Sequence, residues 1–561
     1  MREICGMPFC GNDKSETKYQ TWDAGSNRLS YQTGQSFNAD GQLQSHQYPD
    51  GSAQRYSYQN GQLAAITLPN QSQIHYGSYR WMQPQQIRTP GATKTLSYDA
   101  LQRPALIEIR SGQNPNKLLA QRRYAYDEAG NIVQIQSELG QTGYGYDPLN
   151  RLSKAEPDQA LQTLGLPQEA YSYDAAGNRL SSAHQAGAWT YNADNQMTQY
   201  PATTPFERNP GVETQVSYTA QGHTQKESNV LESKEYEYNA AERLIRYVQK
   251  DETLAGQSAA QTEASYRYDP FGRRIAKTVK QGGQTKTTYY IYSEQGLMAE
   301  ADETGKLTKA YGFNPTTMQL GLWSTDPIWQ AETSNGSLTD PKARYDWLHT
   351  DHLGTPILAT TEEGQTSWRA VSESFGATLP IDQDIEMNLR FPGQYFDAET
   401  GTHYNFHRDY RPNAGRYLQG DPIKLRGGIN LFNYANGNPL VKLDSMGLKT
   451  CGSGWNEIIV PDNPAYFQFS PCCEEHDNCY GDCYGPSKSV CDLNFFNCMQ
   501  KTCNALVDNI YVWYICSEIA NSYYSAVNKW GDESFYAARN KCNDCFPRPS
   551  EILPRFRSWS Y

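Results

Sequence analysis

The sequence predicts a multidomain protein in which an all-β region of repeated hairpins precedes a small, disulfide-rich α-helical domain. A tyrosine–aspartate unit recurs between about residues 30 and 300. Eleven of the 13 cysteines follow residue 450. The 561 residues also exceed what one hydrophobic core usually supports, so two or more domains are expected.

The repeat unit predicts β-hairpins. Each copy has an alternating strand that ends in tyrosine, a tight turn of Asp or Asn with Gly, and a second alternating strand. Because each hairpin buries its face only against its neighbours, the copies are expected to stack. The clear copies are Ser97-Tyr98-Asp99, Ala125-Tyr126-Asp127-Glu128-Ala129-Gly130-Asn131, Gly145-Tyr146-Asp147, Ser172-Tyr173-Asp174-Ala175-Ala176-Gly177-Asn178-Arg179 and Arg267-Tyr268-Asp269-Pro270-Phe271-Gly272-Arg273, with weaker copies at Tyr191-Asn192 and Tyr238-Asn239.

Composition excludes several classes of function. The net charge of −12 argues against a nucleic-acid partner, because such binding surfaces are basic. The chain contains no apolar run long enough for a membrane-spanning helix. Its first residues lack the apolar stretch of a secretory signal peptide, yet the dense cysteines indicate an oxidising working compartment. We therefore expect export by a dedicated machine.

Two cysteine-rich segments near the C-terminus predict a pair of antiparallel helices. Residues three, four and seven positions apart share one helix face. The turn between the segments is Tyr484-Gly485-Pro486-Ser487. The first face carries Cys472, Cys473, His476, Cys479, Tyr480 and Cys483, and the second carries Cys491, Asp492, Phe495, Cys498 and Met499.

The cysteine spacing predicts two disulfides across this pair. Cys472 and Cys479 are seven residues apart, as are Cys491 and Cys498, which corresponds to about 10 Å of helical rise. Facing residues of an antiparallel pair have a constant sum of residue numbers. This condition favours bonds between Cys479 and Cys491 and between Cys472 and Cys498.

His476 and Asp492 are the candidate catalytic pair. Between the two disulfides, His476 would lie within one helical turn of Asp492. A histidine held beside a buried carboxylate is a general base with a fixed tautomer. Asp477 points elsewhere and is available to bind a metal.

The glycine-rich turn Cys451-Gly452-Ser453-Gly454 could complete a metal site. Its backbone can approach closely and present carbonyl oxygens, which calcium prefers together with a carboxylate. A bond between Cys451 and Cys473 could bring this turn to the first helix.

These residues resemble the active-site helices of secreted phospholipase A2, most closely its group XII-like branch. The motif Cys-Cys-x-x-His-Asp-x-Cys-Tyr begins at Cys472, and the similarity covers about residues 449–545. The resemblance implies that His476 activates a water for attack on the sn-2 ester. It also implies that Asp492 orients His476 and that Tyr480 supports Asp492.

The same resemblance implies a calcium cofactor. Its ligands would be the Asp477 carboxylate and the carbonyls of Thr450, Gly452 and Gly454. Calcium and the Gly452 amide would stabilise the oxyanion. The family's longer glycine loop is reduced here to residues 449–455.

Two structural alternatives fit part of this pattern. Clusters of Cys and His are often zinc sites, but the adjacent Cys472 and Cys473 fit no ordinary zinc-finger spacing. A purely structural disulfide knot would explain the cysteines. It would not explain His476, which is the only histidine after residue 407.

The repeats resemble the YD repeats of Rhs, teneurin and Tc-toxin shells, in which hairpins coil into a hollow β-cocoon. The resemblance implies a partial cocoon here, closed by an Rhs-associated core. The matching core blocks are Trp347-Leu348-His349-Thr350-Asp351-His352-Leu353-Gly354-Thr355-Pro356, Arg390-Phe391-Pro392-Gly393-Gln394-Tyr395-Phe396-Asp397, Gly415-Arg416-Tyr417 and Asp444-Ser445-Met446-Gly447-Leu448.

Such cores end in an aspartyl autoprotease. The resemblance implies that Asp421 and Asp444 are the catalytic pair and that the chain is cut after Leu448. Two carboxylates that share a proton can activate water, one as acid and one as base. Ser445 stands where the family usually has proline, which alters the rigidity of the turn. The alternative is that both aspartates cap tight turns.

The expected domains are an irregular N-terminal segment (1–30), a YD-repeat β-shell (31–340), the Rhs-associated core (341–448) and a phospholipase A2-like toxin domain (449–561). This order is typical of polymorphic toxins made in a bacterial cytoplasm and delivered to a rival's periplasm or to the outside of a cell. Expected partners are membrane phospholipid, an immunity protein, and a secretion carrier with its chaperone.

The predicted function is hydrolysis of the sn-2 ester of membrane glycerophospholipids by a calcium-dependent toxin domain. The main alternative is a non-enzymatic shell or adhesion protein with a disulfide-rich, receptor-binding tip. A nuclease cargo lacks support, because no second histidine or basic patch accompanies His476.

Overall fold

The fold is described from a computed structural model of the chain. The described residues are 14–24, 27–80, 83–202, 212–252, 260–315, 323–424, 428–448 and 487–504, with Cys472, Cys479, Ser517 and Tyr524. The chain forms two compact units. One comprises residues 1–318, 322–422 and 429–447, and the other comprises residues 319–321, 423–428 and 448–561.

The first sheet contains 15 strands among the described residues, and each strand pairs antiparallel with the next one in sequence. One short helix, α1 (Gln159–Thr163), lies between strands β13 and β14 in sequence. The strands are β1 (Lys14–Ala24), β2 (Asn27–Phe37), β3 (Leu43–Gln47), β4 (Ala53–Gln59), β5 (Gln62–Thr67), β6 (Gln73–Arg80), β7 (Gln83–Arg88), β8 (Ala92–Tyr98), β9 (Pro104–Ser111), β10 (Leu118–Tyr126), β11 (Ile132–Ser137), β12 (Gln141–Tyr146), β13 (Leu152–Pro157), β14 (Glu169–Tyr173) and β15 (Arg179–Ser182).

The second sheet has 16 described strands in the same consecutive order. They are β16 (Thr190–Tyr191), β17 (Met197–Ala202), β18 (Val212–Tyr218), β19 (Thr224–Ser228), β20 (Glu232–Tyr238), β21 (Leu244–Asp251), β22 (Ala260–Tyr268), β23 (Arg274–Gln281), β24 (Gln284–Ser293), β25 (Gly296–Ala301), β26 (Leu307–Phe313), β27 (Pro327–Glu332), β28 (Arg344–Thr350), β29 (Pro356–Thr360), β30 (Thr366–Ser372) and β31 (Thr378–Gln383).

A third, four-stranded antiparallel sheet follows. It consists of β32 (Tyr395–Asp397), β33 (Thr402–Asn405), β34 (Arg408–Arg411) and β35 (Arg416–Tyr417). In the other unit the structure describes one long helix, α2 (Lys488–Asn504). No helix in the described parts of the chain is long and apolar enough to cross a membrane.

The turn that follows each repeat tyrosine connects the two strands of a hairpin and is closed by hydrogen bonds within five residues. In the copy at Asp127, the Asp127 amide donates to the carbonyl of Asn131 at 2.9 Å, and the Asn131 amide donates to Oδ1 of Asp127 at 2.8 Å. Gly130 takes a φ of +86°, and the pairing register shifts between Ala125 and Tyr126. This combination of a tight turn, a left-handed residue and a bulge is a favoured hairpin connection.

The repeat tyrosine joins one hairpin to the one before it. Tyr126 donates a 2.7 Å hydrogen bond to the carbonyl of Pro104, and Tyr146 donates one of 2.7 Å to Ile132. In both cases the acceptor is the first residue after the preceding turn. The same bond is donated by Tyr173, Tyr218, Tyr238, Tyr268 and Tyr292 to Leu152, Met197, Thr224, Leu244 and Arg274, respectively.

The two large sheets share their hydrophobic core. Ile66 and Ile74 of the first sheet belong to one buried cluster with Trp329 and Trp347 of the second. The third sheet contributes to a second cluster, in which Tyr395 and Tyr404 pack with residues of the second sheet. The core therefore forms between sheets, as expected for hairpins that cannot bury their faces alone.

Strands occur before one predicted boundary and continue across another. Residues 14–30, predicted to be irregular, contain β1 and the start of β2, which pair over eleven residues. The polar composition of this hairpin hid its β-forming Thr, Tyr and Trp residues. At residue 340 the sheet does not break, because β27 pairs with β28 across this boundary.

Candidate functional site

Asp421 and Asp444, the predicted autoproteolytic pair, meet at the guanidinium group of Arg408. Nη2 of Arg408 lies 3.0 Å from Oδ2 of Asp421 and 3.2 Å from Oδ2 of Asp444. All three side chains are at most 9% exposed. The structure thus places the two aspartates at one cation, and their role in self-cleavage stays a prediction.

Arg408 also fixes the backbone around this pair. It is the first residue of β34, and its Nε donates a 2.7 Å hydrogen bond to the carbonyl of Gly447. Its Nη1 donates to the carbonyl of Leu431 at 3.0 Å. The guanidinium lies 3.6 Å from the centre of the Tyr417 ring. Because Gly447 directly precedes Leu448, Arg408 connects the two carboxylates to the chain beside the predicted cut.

Tyr417 and Asn405 hold Asp444 from the other side. The Tyr417 hydroxyl donates to Oδ2 of Asp444 at 2.8 Å. Nδ2 of Asn405 donates to the Tyr417 hydroxyl at 2.9 Å and to the Asp444 carbonyl at 2.8 Å. Burial, and then the nearby Asp444 charge, raises the pKa of Tyr417 well above its ordinary value. Tyr417 therefore keeps its proton and acts as a donor.

Close backbone packing fixes the turn at Ser445. Gly393 has a φ of +78°, and a Cβ atom there would lie 1.8 Å from the Ser445 carbonyl. Gly447 has a φ of +67°, and a Cβ there would lie 2.6 Å from the Asn405 carbonyl. The Met446 carbonyl accepts from the backbone amide of His407, in the turn between β33 and β34, at 3.2 Å. Two glycines and this contact constrain the turn, although Ser445 stands in place of proline.

The second predicted site lies in the cysteine-rich unit, where the structure forms two disulfides. Cys472 is bonded to Cys498 with Cα atoms 5.5 Å apart, and Cys479 is bonded to Cys491 with Cα atoms 5.6 Å apart. These are the two pairs that the spacing predicts. They fix two points of α2 to the segment that contains His476.

Asp492 lies on the buried face of α2 and is 1% exposed. Phe495 and Met499 share this face, as the helical periodicity predicts. Nζ of Lys488, one turn earlier, lies 2.8 Å from Oδ2 of Asp492. A buried carboxylate is thus held in a defined orientation between the two disulfides.

Several predicted residues lie outside the described part of the chain, so their geometry is not assigned. Leu448 is described, but Lys449 on the far side of the predicted cut is not. The other residues outside it are His476, Asp477, Tyr480, Thr450, Gly452, Gly454, Cys451 and Cys473.

Sequence reasoning missed four residues that contact the predicted site groups. Lys488 carries a usable signal, since residues four positions apart on a helix are neighbours. Arg408, Tyr417 and Asn405 carry none, because they reach the aspartates through the pairing of the third sheet. Their roles follow only from the tertiary structure.

The fold is that of a YD-repeat shell protein. Its antiparallel hairpins are joined by tyrosine hydrogen bonds, and the segment that follows them brings two aspartates to one arginine. The chain belongs to the Teneurin YD-shell family, whose profile matches residues 157–439. A second profile, RHS Repeat, matches residues 126–159. The prediction of a YD-repeat shell is therefore confirmed.

Curated relatives include several toxins. Double-stranded DNA deaminase toxin A of Burkholderia cenocepacia is 31% identical over 364 residues, which cover 62% of this chain and 24% of the toxin. Toxin protein Tse5 of Pseudomonas aeruginosa is 31% identical over 366 residues, which cover 58% of this chain and 27% of the toxin. This chain thus spans about a quarter of the length of these relatives and is related to polymorphic toxins.

Solved structures share the fold. The Tc holotoxin pore of Photorhabdus luminescens matches 78% of this chain and 23% of its own, with a TM-score of 0.56 and 20% identity. The crystal structure of TcdB2-TccC3 matches 77% of this chain and 23% of its own, with a TM-score of 0.57 and 20% identity. At this level of identity, the likeness concerns the fold alone.

Proposed function

We propose that this chain is an Rhs-type polymorphic toxin whose C-terminal domain is a calcium-dependent phospholipase A2. The shell would enclose this domain, and self-cleavage after Leu448 would release it. The observation that carries the enzymatic proposal is the buried carboxylate of Asp492 on α2, between disulfides that fix α2 to the His476 segment. The expected partners remain an immunity protein and a secretion carrier.

Self-cleavage is supported by the two aspartates that share Arg408. One carboxylate would take a proton from water, and the water oxygen would attack the carbonyl carbon of Leu448. The other would give its proton to the amide nitrogen of Lys449 as the C–N bond breaks. The products would be a carboxylate at Leu448 and an amine at Lys449.

In phospholipid hydrolysis, His476 would take a proton from the water that attacks the sn-2 ester carbonyl. It would then return the proton to the departing glycerol oxygen. Asp492 would hold the imidazole in the required orientation. The donor set of Asp477, Thr450, Gly452 and Gly454 consists of oxygens and suits calcium. When bound, calcium supplies positive charge at the oxyanion.

The relatives suggest a second candidate. Their names include a double-stranded DNA deaminase toxin, a probable deoxyribonuclease and a tRNA-specific nuclease. These different activities accompany similar matches to this chain, so relatedness of the shell does not specify the cargo. A nucleic-acid-modifying cargo is therefore the alternative that an assay must exclude.

One assay separates the candidates. The oxidised full chain is mixed with phosphatidylglycerol vesicles that carry a labelled sn-2 acyl chain, with calcium or with a chelator. Calcium-dependent release of labelled fatty acid, lost in His476→Gln, supports the lipase. No release, together with altered DNA or tRNA in parallel tubes, supports the second candidate. No activity on any substrate would leave a non-enzymatic, receptor-binding tip.

A further inference from the structure

The bridging segment (residues 429–440) lies across the turns of hairpins in the first unit. It contacts them through two asparagines, Asn430 and Asn438. Asn430 reaches the turn between β14 and β15, and Asn438 reaches the turns between β10 and β11 and between β12 and β13. Three hairpins are thereby connected by one short stretch of chain.

The two contacts have the same design. Nδ2 of Asn430 donates to Oδ1 of Asn178 at 2.7 Å and to the carbonyl of Ala176 at 3.2 Å. Nδ2 of Asn178 in turn donates to Oδ2 of Asp174 at 2.9 Å and to Oδ1 of Asn195 at 2.8 Å. The side-chain nitrogens of Asn430 and Asn178 therefore each donate two hydrogen bonds.

The second cluster repeats the donor pattern of the first, but the buried Oδ1 of Asn438 has no partner among the described residues. Nδ2 of Asn438 donates to Oδ1 of Asn131 at 2.9 Å and to the carbonyl of Asn150 at 2.9 Å. Nδ2 of Asn131 donates to Oδ2 of Asp127 at 3.0 Å and to Oδ1 of Asn150 at 2.9 Å. Asn438 is 1% exposed and Asn131 is 4% exposed, so these bonds form away from water.

The fifth residue of the turn differs between copies of the repeat. In the turns at Asp99, Asp147 and Asp269 the fifth residue is arginine, and Arg103, Arg151 and Arg273 each donate to the aspartate of their own turn. Asn131 and Asn178 occupy that position in the two turns whose side-chain amides contact the bridging segment. Each uses its amide nitrogen on its own turn and offers its amide oxygen to the bridging segment.

The same segment reaches the aspartate pair. The carbonyl of Leu431 accepts from Nη1 of Arg408 at 3.0 Å and from the backbone amide of Asp421 at 2.9 Å. Asp444 follows six residues after Asn438 in the sequence. Both carboxylates are therefore connected to chain that is held on the hairpin turns.

We propose that Asn430 and Asn438 are positioning residues for self-cleavage, which makes the cut conditional on correct folding of three shell hairpins. This inference rests on the proposed self-cleavage after Leu448. The segment docks correctly only when the turns around Asn131, Asn150 and Asn178 have formed. A shell with these hairpins unformed would keep its toxin domain attached.

The test measures cleavage and stability separately. Purified full-length Asn430→Ala and Asn438→Ala are compared with the natural chain for the rate at which the fragment beginning at Lys449 appears, by mass spectrometry during refolding. Loss of a buried donor that fixes the segment should slow cleavage about tenfold or more. Asn430 is the less buried of the two, so its variant provides a result if Asn438→Ala fails to fold.

Asn229→Ala is the matched control. Asn229 also holds a shell turn, since its Oδ1 accepts from the amides of Leu231 and Glu232 at 2.8 and 3.0 Å. This variant should lower the unfolding midpoint but cleave at the natural rate. Equal cleavage rates in all variants would overturn the positioning role, and so would slowing in Asn229→Ala that matches the slowing in Asn430→Ala.

A second readout does not depend on cleavage. In Asp421→Asn protein, hydrogen exchange in residues 440–447 should become faster when Asn430→Ala is added. An uncut natural chain would overturn self-cleavage, even if exchange responds as expected. Unchanged exchange, with the natural chain cut normally, would overturn the docking role alone.

Discussion

The hydroxyl group of Tyr417 donates a 2.8 Å hydrogen bond to Oδ2 of Asp444, the same oxygen that faces Arg408 at 3.2 Å. Two donors of different chemistry therefore fix one carboxylate oxygen. The backbone carbonyl of Asp444 is held as well, by Asn405. The side chain and the backbone of Asp444 are therefore both held in place.

Tyr417→Phe should slow self-cleavage about tenfold, because a hydrogen bond to a charged group is worth roughly 1.5–3 kcal/mol. Asp421→Asn and Asp444→Asn should abolish it. The measurement is the intact mass of purified protein over time. Tyr79→Phe, which removes a half-buried hydroxyl that donates to the Leu63 carbonyl at 2.6 Å elsewhere in the shell, serves as the control and should be cut normally. Normal cleavage of Asp444→Asn would exclude the pair as the protease.

Arg408→Met should destabilise the shell by roughly 3–5 kcal/mol at pH 7, because two buried carboxylates would lose their shared cation. Denaturant titration measures this free energy of unfolding. Adding Asp421→Asn and Asp444→Asn to Arg408→Met should recover much of the loss, since the buried charges are removed. If Arg408→Met alone were as stable as the natural chain, the guanidinium would not be compensating the aspartates.

The tyrosine bonds between hairpins predict a second stability effect. Tyr146→Phe removes the donor to the Ile132 carbonyl and should lower the free energy of unfolding by about 1 kcal/mol. Tyr98→Phe is the control, because no hydrogen bond from the Tyr98 hydroxyl occurs within the described residues. A smaller effect for Tyr146→Phe than for Tyr98→Phe would show that these bonds do not stabilise the stack.

The buried carboxyl group of Asp409 should make the free energy of unfolding depend on pH. Burial raises its pKa to about 6, although the hydrogen bond from Gln419 and the charges of Arg274 and Arg243 lower it, while Asp397 raises it. A raised folded-state pKa gives stability that is fully present below the ordinary value of 3.8 and is lost as pH rises through 6.

Asp409→Asn should therefore remove this loss. Between pH 4 and pH 7 its free energy of unfolding should fall less than that of the natural chain. The difference between the two falls should be about 2–3 kcal/mol at most. The asparagine oxygen can still accept from Gln419, so the packing is kept. Parallel denaturant titrations at both pH values make the comparison. Identical pH slopes in the two proteins would contradict the assignment.

Local chemistry explains why the hairpins could be predicted. The turn at Asp127 closes through contacts within five residues, and the tyrosine ends a strand that alternates visibly in the sequence. The disulfides between the two cysteine-rich segments follow from helical spacing for the same reason. In contrast, β1 and β2 carry few apolar residues, so the sequence pattern does not predict their hairpin.

The surroundings of the aspartates could not be predicted in the same way. Asp421 and Asp444 were found by resemblance to a family motif. Arg408 approaches them only because β34 positions it there. Asn438 contacts Asn131, which lies 307 residues earlier in the sequence. Contacts between distant residues leave no periodic signal in a single sequence.

Lys488 and Asp492 lead to the last prediction, which concerns phospholipid hydrolysis. Asp492→Asn should lower the rate of sn-2 fatty acid release by a hundredfold or more, because a base without its orienting carboxylate loses about two orders of magnitude. Lys488→Gln removes the ion pair at 2.8 Å but keeps a donor near Asp492, so it should retain most of the activity. Release from labelled vesicles is measured with calcium and with a chelator, and Lys501→Gln on the same helix is the surface-charge control.

The chelator should abolish activity in every variant, and reduction of the disulfides should do the same by detaching α2 from the His476 segment. If Asp492→Asn hydrolysed lipid as fast as Lys501→Gln, the buried carboxylate would have no part in the reaction, and the lipase proposal would lose the observation that supports it.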